Sequence, residues 1–350
     1  MATTVIEAAK AYSSQVVREP LVNSVFSVLV RPEIFRYTKF GKECMVREIK
    51  GGTASNYNKD TGFKANGKGG SAEWKAFVAP YDREITFSTD AIDEYNAVKE
   101  GYELSGSAIA KQNMVGVGAE IDATSSAAIF ANIPSANVLD SATAKLDKDN
   151  VFQTLTDIEA KVFNAGYTGD SFVFVRAGVY SAIQAAILAN NGLANPEVLK
   201  YSPVKGLELE TKVVRYNNLV ILRVPDDRMF TEITLLDGIS EGQTDGGYKK
   251  ADGASHIDVL VVPVPSSAVS IRHLVANLLV PMAYMDGLNT GDLQVELGGV
   301  NNLTESAVAF ENVGINQKAD SFEYQTRMLY GSVTFDTWKK TLFAVTSAIA

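Results

Sequence analysis

The residues of this chain best placed by type and spacing to do chemistry are a serine, two aspartates and a histidine gathered between positions 238 and 256. Gly238-Ile239-Ser240-Glu241-Gly242 matches the G-x-S-x-G pattern that, in hydrolases, exposes a nucleophilic serine on a sharp strand-to-helix turn. Asp245, Asp252 and His256 follow it in the order a Ser-Asp-His triad requires. The residues after Gly242, however, read QTDGGYKKADG, a loop composition that cannot supply the helix. An ordinary surface loop is expected there, and a serine hydrolase using Ser240 is only a remote alternative.

Other chemical patterns fail on definite criteria. Gly116-Val117-Gly118-Ala119-Glu120-Ile121 lacks the third glycine of a dinucleotide fingerprint and falls inside a helical pattern, where no strand-to-helix turn exists to hold a pyrophosphate. Asp147, Asp149 and Asn150 have the look of a calcium loop, but its sixth position would be Phe152 where a glycine must turn the chain, so helix capping is expected instead. His256 and His273 are the only imidazoles, and Cys44 lies far from both in sequence, so no zinc site is expected. The expectation is therefore a protein that is not an enzyme, with no catalytic residue, cofactor or metal.

Composition sets the wider bounds. At 350 residues the chain can form two globular units, on the usual ~150 residues per domain. It is 46% hydrophobic and 21% charged, the make-up of a folded protein. One cysteine excludes an internal disulfide. Glu7 interrupts any secretory apolar run, and no stretch of about 18 apolar residues occurs, so a soluble cytosolic protein without membrane contact is expected. The net charge of -9 argues against binding driven by phosphate neutralisation. Charge is uneven: residues 1–88 carry 13 Lys and Arg against 9 Asp and Glu, a net of +4, leaving -13 for the rest. Either this is an ordinary solvated surface, or a basic extension lies against an acidic surface of a neighbouring copy.

The elements needed to position such groups can be read in order. Val5, Ala8, Ala9, Tyr12 and Val16 are spaced as a short amphipathic helix that Pro20 should stop. From Glu43 to Phe87 the texture is extended. Cys44, Val46 and Ile49 lie on one side of GGTASNYNKDTGFKANGKGG, and Trp74, Phe77, Ile85 and Phe87 on the other. This predicts a long two-stranded arm whose tip is too polar to pack on its own chain. Trp74, Phe77 and Tyr81 beside Lys64, Lys68 and Lys75 could stack on bases or clamp a neighbouring subunit, and the whole-chain order favours the clamp.

Helical pattern is predicted from Thr89, and again over residues 107–132 until Pro134, roughly 39 Å of helix at about 1.5 Å per residue. Asp149 is predicted to cap a helix carrying Val151, Leu155, Ile158 and Val162, followed by a buried strand, a break at Gly178 and another helix. Strands are expected at 211–216, 219–224 and 233–236, in HIDVLVVPVPSSAVS, in DLQVEL and in SFEYQTRMLYGSVTF.

The order of these parts resembles the major capsid protein family of tailed bacteriophages. The stretches that carry the likeness are the N-terminal arm, the loop at 43–87, YDREITFSTDAIDEYNAV leading into the helix of 107–132, NVFQTLTDIEAKVFNAG, SFVFVRAGVYSAI, HIDVLVVPVPSSAV and YQTRMLYGSVTFDTWK. The resemblance implies an α+β chain of the Hong Kong 97-type fold. Its parts would be an N-arm at 1–42, an extended β-hairpin loop at 43–88, a peripheral domain with a spine helix at 89–148, an axial domain at 149–285, and a return to the peripheral domain at 286–350.

It further implies hexamers and pentamers in an icosahedral shell around double-stranded DNA, held without sequence-specific binding. Scaffolding and portal proteins would be partners, and assembly would take place in the host bacterial cytoplasm. No long extension precedes the arm, so a fused scaffolding segment is not expected. Lys50, Lys59, Lys64, Lys68, Trp74, Phe77 and Arg83 are the candidates for contacts between copies. Some family members crosslink a loop lysine to an asparagine, but no local pattern here identifies such a partner. An encapsulin, a nanocompartment shell of the same fold, is the nearer alternative.

Overall fold

The computed structural model describes residues 15–16, 18–30, 35–37, 43–50, 52, 59, 70–90, 93, 96–97, 100, 102–103, 105–189, 195–204, 207–264, 275–286, 294–295 and 321–347. Strands are numbered in chain order. A seven-stranded sheet is built from β5 (Val138–Asp140), β6 (Ser171–Arg176), β7 (Asn195–Val204), β8 (Leu207–Tyr216), β9 (Leu219–Val224), β12 (Ile257–Pro263) and β16 (Phe343–Thr346), with near-continuous apolar runs in β6, β9 and β12. Its order is β5-β16-β12-β6-β9-β8-β7. Runs such as SFVFVR and IDVLVVP suit a sheet buried on both faces, because the strand period of two sends alternate residues to opposite sides.

That alternation is visible residue by residue. Val173, Val175, Val259, Val261 and Ile221 enter one core, against α2 (Val151–Asn164) and α3 (Ala177–Ala189). Phe172, Phe174, Leu260, Val262 and Leu222 enter the other, against Ile129 and the 3-10 turn Val25–Leu29, where Phe26 stacks on Phe174 at 4.0 Å.

A second sheet has the order β14-β13-β15-β4, from β14 (Gln294–Val295), β13 (Val275–Asp286), β15 (Ser321–Thr334) and β4 (Tyr81–Asp90). Helix α1 (Ser105–Phe130) joins the two sheets: Met114, Val117 and Ile121 pack with Met328 and Tyr330, while Ile129 belongs to the seven-stranded core. Gly118 matters to this contact, since a Cβ there would meet Asn23 Cβ at 2.9 Å and the Pro20 carbonyl at 3.1 Å. The remaining sheets are β1 (Phe35–Tyr37), β2 (Glu43–Lys50) and β3 (Ser71–Val78) in that order, and the pair β10 (Ile233–Leu235) and β11 (Tyr248–Lys250).

Several expectations need correction. Pro20 lies within helical residues 18–23 instead of ending them; it lacks a donor, but its carbonyl still accepts the Ser24 N–H at 3.0 Å. Thr89 and Asp90 are strand, because β4 stays in register with β15 as far as Asp90↔Ser321; Asp90 Oδ1 then accepts the Asp93 N–H at 3.3 Å as a helix cap would. Asp147, not Asp149, collects the N–H groups before α2, at 2.9 Å from Asp149 and 3.0 Å from Asn150. The expected strand-to-helix break falls between Arg176 and Ala177, one residue before Gly178, which is the second residue of α3. Ile85 and Phe87 belong to β4 and its sheet with β15, whereas the ribbon is built from β2 and β3.

Candidate functional site

The ribbon is an antiparallel pair in register from Glu43↔Val78 to Lys50↔Ser71. Its root rests on its own subunit; the expectation that the tip is too polar to do so falls on residues 51–70, of which only 52, 59 and 70 are among the described residues. Cys44 and Val46 are buried with Phe35, Ala79, Leu329 and Phe335, and Phe77 packs on this cluster with its ring 5.7 Å from that of Phe35. The sequence conceals this because Phe35 arrives from β1 and the other partners from nearly 300 residues downstream. A charged tie lies beside it. Lys75 pairs with the buried Glu48 and reaches Asp336 Oδ2 at 3.0 Å.

Beyond the root the ribbon is open. All of Ser71 to Ala76 is exposed, with Trp74 at 43% and Val78 at 58%. The Arg47 guanidinium carbon stands 5.9 Å from the Trp74 ring centre, and Lys50 pairs with Glu73 at 3.5 Å. Lys59 is exposed; Lys64 and Lys68 lie outside the described residues.

Two outcomes are expected at the root. In Gly331→Ala the new Cβ would meet Pro80 Cδ, an atom of a ring closed on the backbone, at 2.5 Å and the half-buried Phe77 Cζ at 3.1 Å. The variant should lose about 1–3 kcal/mol in urea denaturation, as overpacking does; an unchanged midpoint would show that the root yields freely. The second concerns acid. Lys339 first, and Lys75 next, hold the Asp336 carboxyl down at about 2, and hydrogen bonds to Glu48 and Asp336 push the Lys75 ammonium up. A carboxyl depressed on folding stabilises above its unfolded value of ~3.9 and loses that contribution as pH falls through its folded value. Protection factors of the β3 amides, corrected for the intrinsic pH dependence of exchange, should therefore fall as pH drops from ~4 toward 2. An Asp336 carboxyl that titrates by NMR at its ordinary value would remove this tie.

Arg83 is engaged inside the chain. Its Nε lies 2.9 Å from Glu120 Oε1, and its Nη1 and Nη2 donate to the Leu236 carbonyl at 2.8 Å and the Gly247 carbonyl at 3.2 Å. Glu120 also accepts the Tyr330 hydroxyl, whose ionisation is pushed far up by burial and then by the Glu120 charge.

Asp122, two residues further on and fully buried, points the opposite way, since two helical steps turn through ~200°. It accepts the Ser24 hydroxyl at 2.6 Å, the N–H groups of Phe26 at 2.9 Å and Val25 at 3.1 Å, and Arg228 Nη1 at 3.0 Å. Arg228 Nη1 also donates to the Asn23 carbonyl at 2.8 Å. Burial pushes the Asp122 carboxyl up, while these donors pull it back. This junction, which fastens the N-terminal segment to α1, is absent from the expectations above. The available signal was a pair of carboxylates in a helix otherwise rich in Ala, Gly and Ser, where a charge must find a partner.

Around Ser240 the chain forms a turn, not a nucleophile mount. Asp237 Oδ1 accepts the N–H groups of Ile239 and Ser240, both at 2.8 Å, and the Ser240 hydroxyl donates to Asp237. Gly238 and Gly242 have φ of +74° and +76°, and no helix follows. His256 sits elsewhere: its ring lies 4.8 Å from that of Phe230, and its buried Nδ1 has no hydrogen-bond partner among the described residues. Cys44 is buried in the ribbon root, and Gly116 and Gly118 lie within α1. No described helix is long and apolar enough to cross a membrane.

No protein-family pattern and no curated protein sequence matches the chain. Among solved structures it is similar to one of Mycobacterium phage Ogopogo, with 9% identity and a TM-score of 0.47 over 93% of this chain and 92% of that one. It is similar to the capsid structure of cyanophage P-SCSP1u, with 11% identity and a TM-score of 0.44 over 90% and 86%. It is also similar to the holo-SrpI encapsulin complex from Synechococcus elongatus, with 11% identity and a TM-score of 0.41 over 91% and 88%.

Proposed function

We propose that this chain is the major capsid protein of a tailed bacteriophage, with the Hong Kong 97-type arrangement of N-arm, extended loop, peripheral domain and axial domain at the boundaries given above. In this reading α1 is the spine of the peripheral domain, and the seven-stranded sheet with α2 and α3 forms the axial domain. Subunits meet as hexamers and pentamers in a closed shell around double-stranded DNA, aided by scaffolding and portal proteins in the host cytoplasm. Many modest contacts add up because each subunit touches several others within a symmetric closure. The role needs no catalytic step.

The observation that carries the proposal is the ribbon. Its root is fixed by an apolar cluster, yet all of Ser71–Ala76 beyond it stands exposed, with Trp74 at 43%. A strand so open, with a tryptophan at its surface and an edge unpaired among the described residues, is one that other proteins cover or pair. Negative-stain microscopy of the purified full-length protein is the test. Closed icosahedral particles are expected, and a monomer that persists at high concentration would overturn the reading. Particles isolated from cells with protein cargo in place of DNA would assign the chain to nanocompartment shells.

A further inference from the structure

His256 is an imidazole that the shell reading does not use, and its backbone ties three parts of the chain together just before β12. It forms a bridge with Phe230, and its carbonyl accepts the Ser347 N–H at 3.0 Å. The next residue, Ile257, donates its N–H to the Met229 carbonyl, also at 3.0 Å. Met229 and Phe230 directly follow the 3-10 turn Asp226–Arg228, and Arg228 is the residue that holds Asp122 and the Asn23 carbonyl. The imidazole therefore stands one bridge away from the junction that fastens the N-terminal segment to α1.

The surroundings of the ring leave no place for a second N–H. Its charged neighbours are Arg176 of β6, Lys250 of β11, Asp258 of β12 and Asp226 of the turn. Both acids are already engaged. Asp258 Oδ1 pairs with Arg176 Nη2 at 2.6 Å and accepts the Ser347 hydroxyl at 2.9 Å, and Asp226 Oδ1 accepts the Ala177 N–H at 3.0 Å. His256 Nδ1 is buried without a partner among the described residues, and so is Arg176 Nε. An imidazolium donates from both nitrogens, so protonation would leave Nδ1 as an orphan donor and add a positive charge near Arg176 and Lys250.

We infer that His256 is an acid-sensitive latch: neutral, it lets residues 226–231 hold Arg228 on Asp122, and protonated, it loosens them and with them the N-terminal residues 18–30. The inference goes beyond the shell reading and does not depend on it. Burial first, and then the Arg176 and Lys250 charges, weaken the hold of the ring on a proton, against smaller pulls from the Asp226 backbone and Asp258. A base depressed on folding contributes fully above its unfolded value of ~6.5 and loses that contribution as pH falls through it to the folded value. That window lies above the range in which the Asp336 carboxyl titrates, so the two acid effects separate.

The test follows the full-length protein from pH ~7.5 to ~5. Protection factors of the Val25 and Phe26 amides, corrected for intrinsic exchange, should fall about threefold or more in the parent and less than about 1.5-fold in His256→Gln. An unchanged parent overturns the inference. A fall of the parent's size in His256→Gln does so too, because it belongs to a carboxylate such as Asp122. His273→Gln leaves a single imidazole NMR signal, which should titrate below ~6.5; a value at or above that also overturns the latch. Should His256→Gln not fold, Lys250→Gln is judged instead, since it removes one opposing cation at an exposed position. The imidazole should then titrate higher and the fall in protection should shrink, and an undiminished fall counts against the latch.

Discussion

A subunit lacking residues 51–70 is expected to fold, remain in solution and build no shells. Lys50 and Ser71 are register partners, so a two-residue Asn-Gly turn can close the ribbon without moving either strand. The root keeps Cys44, Val46, Phe35 and Phe335, and Lys75 keeps Asp336. Among the described residues, every member of the two large cores lies outside the excised segment. The loss then falls on contacts between copies, and because those contacts act in concert around a closed assembly, removing one class takes particle yield to background. Sedimentation and negative-stain microscopy would report it, with circular dichroism confirming the fold. Normal particles from the shortened chain would remove the clamping role.

Replacing Asp122 with Ala should have the largest effect on the subunit itself, a loss of about 3–5 kcal/mol, the range for breaking a buried charged pair from one side. The Arg228 guanidinium would be left without its carboxylate, with its Nε already lacking a partner among the described residues. The Ser24 hydroxyl and the N–H groups of Val25 and Phe26 would lose their acceptor in a dry site. A loss of that size is a large share of the ~5–15 kcal/mol that holds a domain folded. Asp122→Leu with Arg228→Met should cost less than Asp122→Ala, because no uncompensated charge remains. Urea midpoints of the three proteins would decide, and proteolysis near residues 18–30 should quicken in Asp122→Ala as the N-terminal segment loosens. Equal midpoints for Asp122→Ala and the parent would show that the junction holds nothing.

The parts of the fold legible from the sequence were those whose signal is local. SFVFVR, LVILRV and IDVLVVP announce buried strands by composition, α2 announces itself by apolar spacing, and α1 and α3 by the residues that bound them, with errors of only a few residues at their ends. Strands β7 and β13 were missed because NPEVLKYSPV and VANLLVPMAYMD carry prolines that argue against strand. The sheets tolerate them where a donor is not needed. β7 is an edge strand, and the short β14 pairs with β13 only at Ala283 and Tyr284, past Pro281.

For the candidate site, the polarity of residues 51–70 and their excess of lysine were plain in the sequence, and so was the extended character of the strands on either side. Tertiary structure alone decided that Phe335 and Leu329 seat the ribbon root, that Arg83 turns inward to Glu120, and that Asp122 gathers Ser24 and Arg228. Periodicity and turn chemistry act over a few residues and can be read along a chain. Which buried carboxylate meets which distant donor depends on contacts across 100 or more positions, fixed only when helix and sheets close together.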